Sequence, residues 1–146
     1  MTYQTERAAI ETYLNTQWAG ATAIGFDRQS FTPAANTIAL FIQNGQTVQG
    51  SIGRASNRIE YVGLAQILIF TEAGKGSAAW RGYAETLEGI FRNARITSAG
   101  VAITDPADEF VRFSPRDQHP YIAGHSDEIS LTTTTLNMPF ARYEFR

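Results

Sequence analysis

The most regular hydrophobic pattern in the chain lies at residues 58–91, where an apolar strand passes through a glycine-rich turn into an amphipathic helix. Between Arg58 and Phe70, β-branched and aromatic residues dominate. A period of two sends Tyr61, Ala65, Ile67 and Ile69 to one pleat face and Val62, Leu64, Leu68 and Phe70 to the other. A strand apolar on both faces predicts a central position with both sides covered. Gly74 and Gly76 in the following turn suit unusual backbone angles, and Ser77 is placed to N-cap a helix beginning near Ala78. Along that helix Trp80, Tyr83, Ala84, Leu87, Ile90 and Phe91 recur at three- and four-residue spacing, while Arg81 with Glu85 and Glu88 with Arg92 form i,i+4 pairs outside the stripe. Gly82 and Gly89 lie together beside the stripe, which predicts either close approach by another backbone or two tolerated surface glycines.

The pattern elsewhere is weaker. Residues 5–17 read as a helix with Ala9, Ile10, Tyr13 and Leu14 in a narrow apolar stripe and an exit at Trp18 and Gly20. Residues 23–26 are extended, 27–33 form a polar turn with aromatic anchors, and 37–43 alternate as a strand. Glycines and amides fill 44–57, where Asn44-Gly45 is a good hairpin-turn pair, so 44–58 predicts a flexible hairpin arm with Arg54 and Arg58 at its return. Short strands follow at 101–103 and 109–113, a loop at 114–127 and a half-buried strand at 128–136. The closing residues 137–146 carry four large apolar side chains outside any clear element, which predicts docking on this chain or a neighbour. The order is α-βββ-α-βββ: one α+β domain over 1–146, with a mostly antiparallel sheet carrying both helices on one face. That build leaves the second sheet face open, and a closed oligomer is the economical cover.

Composition narrows the class further. The chain has 146 residues, 43% hydrophobic and 18% charged, which is globular and the size of one ordinary domain. No apolar run approaches the roughly 20 residues needed to span a bilayer. The opening residues lack the apolar core of a secretory signal and the chain has no cysteine, so the expected compartment is a cytoplasm. A net charge of −2 gives no reason to expect nucleic-acid readout. Lys75 is the only lysine; arginine, which suits protein interfaces, supplies the other basic side chains.

Candidate chemistry is sparse. Gly74-Lys75-Gly76-Ser77 lies between strand and helix, but a phosphate loop needs a glycine where Ile69 stands and Ser or Thr where Gly76 stands. His119 and His125, with Asp117 and Asp127, share the 114–127 loop, but their spacing fits no helix face or finger, so a small metal- or ligand-binding domain stays an alternative. His125-Ser126-Asp127 are adjacent and cannot form a triad, and no nucleophile elbow exists. No catalytic residue, cofactor-binding residue or metal ligand is assigned, and the expectation is a non-enzyme.

Several segments together resemble the tail terminator proteins of long-tailed bacteriophages and prophages, the lambda-like minor tail proteins. They are residues 10–18, 25–33 and 63–70 with Gly74 and Gly76, then 84–91, and Met138-Pro139-Phe140 with Tyr143. They span nearly the whole chain in order, while the 105–127 region departs from the pattern. The resemblance implies a structural protein of the virion tail that assembles in the host cytoplasm as a homohexameric ring. The ring would sit on the tail-tube protein, stop polymerisation and offer a surface to head-connector or neck proteins, without catalysis. Other head–tail joining or tail-tube proteins are the nearest alternative. Arg54, Arg58, Gln49, Phe70, Phe140 and Tyr143 are then the candidate oligomer or tail-tube contacts.

Overall fold

The computed structural model describes residues 1–146 apart from 27–30, 50, 51, 54–56, 105–108, 129 and 146, and only the backbone of Phe145. Helix α1 spans Tyr3–Trp18 and opens with a reciprocal capping box: the Thr2 hydroxyl accepts from the Thr5 N–H at 3.1 Å, and the Thr5 hydroxyl accepts from the Thr2 N–H at 2.7 Å. It closes on Ala19 in the left-handed region. Three strands follow, β1 (Ile24–Phe26), β2 (Thr37–Gln49) and β3 (Arg58–Glu72), and then helix α2 (Ala78–Phe91). After α2 come the two-residue β4 (Arg95–Ile96), β5 (Phe110–Phe113), a 3-10 turn at Pro115–Asp117, β6 (Tyr121–Asp127) and β7 (Leu131–Phe145). The fold is α+β with a mostly antiparallel sheet, only the β1–β2 pair being parallel among the named pairs.

The sheet runs β1-β2-β3-β7-β5-β4, with β6 also paired to β7. Thus β3 is central, as its two apolar faces predict. On its far side β7 is shared end to end, β6 pairing from Tyr121↔Asn137 to Asp127↔Thr132 and β5 from Phe113↔Phe140 to Phe110↔Tyr143. Cross-strand register places Ile38, Leu40, Ala65, Ile67, Leu136, Met138 and Phe140 on one sheet face. Both helices bury their stripes there: Ile10, Tyr13, Leu14 and Trp18 from α1, and Trp80, Leu87 and Phe91 from α2. The helices are joined by the Tyr13 hydroxyl, which donates to the Ile90 carbonyl at 2.7 Å, and by edge-on packing of Tyr13 on Phe91 at 5.5 Å.

Four local expectations are corrected. Asn44-Gly45 is not a turn; β2 runs through it with a bulge between Asn44 and Thr47, and pairing resumes from Thr47↔Tyr61 to Gln49↔Ile59. The reason is tertiary: β7 supports β3 as far as Arg58↔Phe145, so β2 has a strand to pair with beyond the local turn signal. The 101–103 strand reduces to a single bridge, Ala102↔Ile96, across a tight turn closed by the Thr97 N–H donating to the Val101 carbonyl at 2.9 Å. Residues 121–127 are strand β6 rather than loop, polar because β6 is an edge. The closing segment is no docking tail but the second half of β7, which starts at Leu131, not 128. Of the two readings of Gly82 and Gly89, the structure fits tolerated surface glycines, since nothing lies within 4 Å of a Cβ built on either.

Pro139 explains why the end of β7 is hard to read, since proline ordinarily argues against a central strand. Its carbonyl accepts from the Ser114 N–H at 3.2 Å, so its ring nitrogen faces the same side, at the junction where β6 has ended and β5 begins. No ladder donor is required of it there.

Candidate functional site

The sheet face opposite the helices carries Phe41, Val62, Leu64 and Leu68, all half-buried, with no secondary-structure layer over them among the described residues. Across it runs a ladder of side-chain hydrogen bonds. Gln43 Nε2 donates to Gln66 Oε1 at 3.2 Å, Gln66 Nε2 to Asn137 Oδ1 at 3.0 Å, and Asn137 Nδ2 to the Tyr121 hydroxyl at 3.2 Å, joining β2, β3, β7 and β6. The amides satisfy one another while leaving apolar neighbours on either side, so this is a mixed surface of the kind that meets another protein.

Both ends of this face are covered. At one end Phe31 packs on Phe70 at 6.1 Å and fills the space above Gly25, where a Cβ would sit 2.4 Å from its ring. At the other, Phe110 lies 5.1 Å from the Tyr143 ring, and the Arg58 guanidinium lies 5.2 Å from the same ring centroid. Beside them the buried Glu60 is paired with Arg116 at 3.2 Å. Burial first, and the Glu60 carboxylate second, raise the Tyr143 hydroxyl above the ordinary tyrosine range.

The candidate contacts therefore separate. Arg58 and Gln49 are exposed at the end of the β2–β3 pair that leads into the connecting loop. Tyr143 and Phe70 lie on the open face but are each only 6% exposed, so their own neighbours already hold most of their surface. Phe140 is on the helix face, fully buried above Gly63 and 5.9 Å from Phe113, so it serves the core and is corrected as a contact. Arg54 lies outside the described residues.

A buried ionic cluster escapes sequence reading altogether. Arg142, on β7 and 1% exposed, donates from Nε to Glu6 Oε1 at 3.1 Å, from a terminal nitrogen to the Met1 carbonyl at 2.6 Å, and also to Glu144. Its guanidinium lies 3.8 Å from the Tyr61 ring centroid and 5.1 Å from that of Tyr3. Asn44 Nδ2 donates to the second Glu6 oxygen at 2.9 Å. Burial pushes the Glu6 carboxyl up, against the opposing pull of Asn44 and Arg142. The cluster pins the start of α1 to the sheet behind the hairpin; the one sequence signal for it is a charged pair, Arg142 and Glu144, at even spacing with Met138 and Phe140.

The histidine segment has different surroundings from those its sequence suggests. His125 packs its ring 4.5 Å from Trp80 and shares a 3.1 Å hydrogen bond between Nδ1 and the Thr134 hydroxyl, while Asp127 accepts from Thr132 at 2.8 Å. With Gly74, Gly76 and Ser77 they line an open cleft of about 500 Å³ at the start of α2. The Ser77 hydroxyl is not used as a helix cap; it accepts from Arg81 Nε at 3.1 Å, and Arg81 lies over Trp80 instead of reaching Glu85. Among the described residues no three His, Cys, Asp or Glu side chains are grouped to hold a metal ion. Among them, too, no helix is long and apolar enough to cross a membrane.

No curated protein matches the chain. Ten solved chains match, and one of them has 20% identity and a TM-score of 0.68 over 97% of this chain and 96% of its own, a likeness of fold. The profile of the phage tail terminator protein family matches residues 6–106, which takes in α1, the β1–β3 segment, α2 and β4. The chain belongs to the phage tail terminator protein family.

Proposed function

We propose that this chain caps the tail tube of a long-tailed phage or prophage as a homohexameric ring, ends tube polymerisation and presents a surface for head joining. The observation that carries the reading is the family match over 6–106; a phage tail structural role follows from it directly. The half-buried apolar residues of the open sheet face and their amide ladder supply a surface for a second protein. The exposed Arg58 and Gln49, with Arg54, supply polar contacts to a ring neighbour or to the tube. The protein acts by covering the tube end, without catalysis, in the virion tail after assembly in the host cytoplasm.

The test is light scattering on a concentration series, followed by electron microscopy of purified tail tubes mixed with the protein. Mass converging on six 16.1 kDa subunits, and density at one tube end with elongation halted, are the expected results. A chain that stays monomeric and leaves tube ends bare and growing refutes the reading.

A further inference from the structure

Two stretches of the sheet have no neighbour on one side among the described residues. Beyond Leu40, where its pairing with β1 ends, β2 has β3 alone, and β6 has β7 alone. Successive residues of a strand turn their N–H and C=O groups to opposite sides, so a few bonds settle which residues face the free sides. Ile38 donates to the Ala23 carbonyl just before β1, and the register carries that outward direction to Ile42, to Asn44 and, past the bulge, to Thr47. The Pro139 carbonyl accepts from Ser114, away from β3, so residues 137 and 135 turn towards β6. Their partners Tyr121 and Gly124 turn back to β7, which leaves Ile122, His125 and Asp127 facing outward.

The two outward sets match. From Ile42 to Asn44 to Thr47 the steps are two residues and then three; from Asp127 back to His125 and Ile122 they are again two and three, because each strand carries one bulge. All six lie on the helix face by register, and β2 and β6 run in opposite directions, since every pair from β2 through β3 and β7 to β6 is antiparallel. Residues 41–49 have neither charge nor proline, two of the usual guards of an exposed edge.

We propose that β6 of one copy pairs antiparallel with residues 42–47 of β2 in a second copy, Asp127 opposite Ile42, His125 opposite Asn44 and Ile122 opposite Thr47. The proposal rests on the ring reading above and names its contact. The pairing stops where the edges do: past Asp127 the neighbour's Leu40 is already held by β1, and before Tyr121 stands Pro120, which has no N–H. Two different edges form a heterologous contact, the kind that closes into a ring when the rotation between copies divides the circle. Asp127 is level with Thr71 of β3 and Ile42 with Ala65, so successive copies are stepped by six residues. That is about 20 Å at ~3.3 Å per residue, across four strands that span about 19 Å at ~4.8 Å each. The slope is about 45°, at the top of the roughly 35–45° strand tilt of closed sheets.

Proline at an outward position removes a donor to the neighbour and none from the internal ladder. Thr47→Pro and Asp127→Pro, both at exposed positions, are each expected to stay monomeric in light scattering where the parent assembles, with circular dichroism unchanged. Mixed one to one, they are expected to give dimers and nothing larger, because the first keeps its β6 edge and the second its β2 edge. Folded variants that assemble like the parent, or a mixture that stays monomeric, overturn the pairing; if those variants still cap tubes, the capping reading stands. A cross-link tests the register independently. Gln43 and Ser126, both exposed, come directly opposite as a non-hydrogen-bonded pair with Cα atoms about 4.5 Å apart, within disulfide reach. In this cysteine-free chain, oxidised mixtures of Gln43→Cys and Ser126→Cys copies are expected to give a heterodimer, and mixtures of Gln43→Cys and Tyr121→Cys copies none. Equal cross-linking of both mixtures, or none at high protein concentration, overturns the pairing whether or not the parent assembles in solution.

Discussion

Replacing Arg142 by methionine keeps most of the side-chain volume and removes the guanidinium from a cluster in which Glu6 and Glu144 are 1% and 2% exposed. Glu144 keeps its 3.3 Å ion pair with the Met1 ammonium, while Glu6 is left with the Asn44 amide alone. Breaking a buried pair by deleting one partner costs about 3–5 kcal/mol, because the surviving charge is uncompensated. Two rings are also left without their guanidinium, each such contact contributing roughly 0.5–2 kcal/mol. Part of this loss is relieved by protonation of Glu6, whose carboxyl is already pushed up by burial, so the expected net loss at pH 7 is about 3 kcal/mol. Urea unfolding followed by the fluorescence of Trp18 and Trp80, both in the core, measures it. Adding Glu6→Gln to Arg142→Met is expected to cost less than the sum of the separate changes, since the second removes a charge that the first leaves unpaired. A loss under about 1 kcal/mol, the range of a solvated pair, with additive variants, refutes the view that this cluster holds α1 to the sheet.

Glu6 alone has a pH signature. Its folded-state value is raised above the ordinary 4.5, so the folded chain binds the proton more tightly than the unfolded chain. The stability this contributes is full below the ordinary value and is lost as pH rises through the folded-state value; the advantage of the parent over Glu6→Gln should therefore grow as urea midpoints are taken from pH 7 towards 4.5. Gly63→Ala places a Cβ 2.4 Å from Cζ of the buried Phe140 and should destabilise by about 1–3 kcal/mol in thermal melts, with Phe140→Leu in the same chain recovering part. Leu64→Lys with Leu68→Lys, on the half-buried open face, should leave circular dichroism unchanged and abolish binding to tail tubes in a pelleting assay; full binding would remove that face from the contact. Zinc, manganese and EDTA should leave the melting temperature unmoved, because His125 and Asp127 are engaged with Thr134 and Thr132; a metal-dependent rise contradicts this.

The two helices and the central strand were legible because each carries a periodic apolar signal that local physics and tertiary packing both favour. Trp80, Leu87 and Phe91 recur at helical spacing and are buried in the core. Ile67 and Ile69 face the helices while Leu68 and Phe70 face away, as a period of two requires. The second half of the chain was not legible for the opposite reason. β6 is an edge strand of polar composition whose pairing is decided by β7, and β7 contains a proline that only the gap between two neighbours excuses. Strand pairing across distant segments is invisible to a window of adjacent residues, so Asn44-Gly45 read as a turn although a partner strand continued past it.

For the candidate surfaces the same distinction sorts the residues. Arg58 and Gln49 were found by composition, since a glycine- and amide-rich stretch with arginine at its end has little to bury, and they are exposed. Phe140 is a candidate contact in the sequence because no local pattern assigns its neighbours to an element; with β7 extending to Phe145, an even spacing from Leu136 through Met138 to Phe140 puts it on the helix face. Continued two further steps, the same face brings Arg142 and Glu144 under α1, where Glu6 lies beside the apolar stripe of the helix. A charged residue in phase with a buried stripe is therefore the signal to seek. In this chain it marks the anchor that fixes the start of α1 to the sheet.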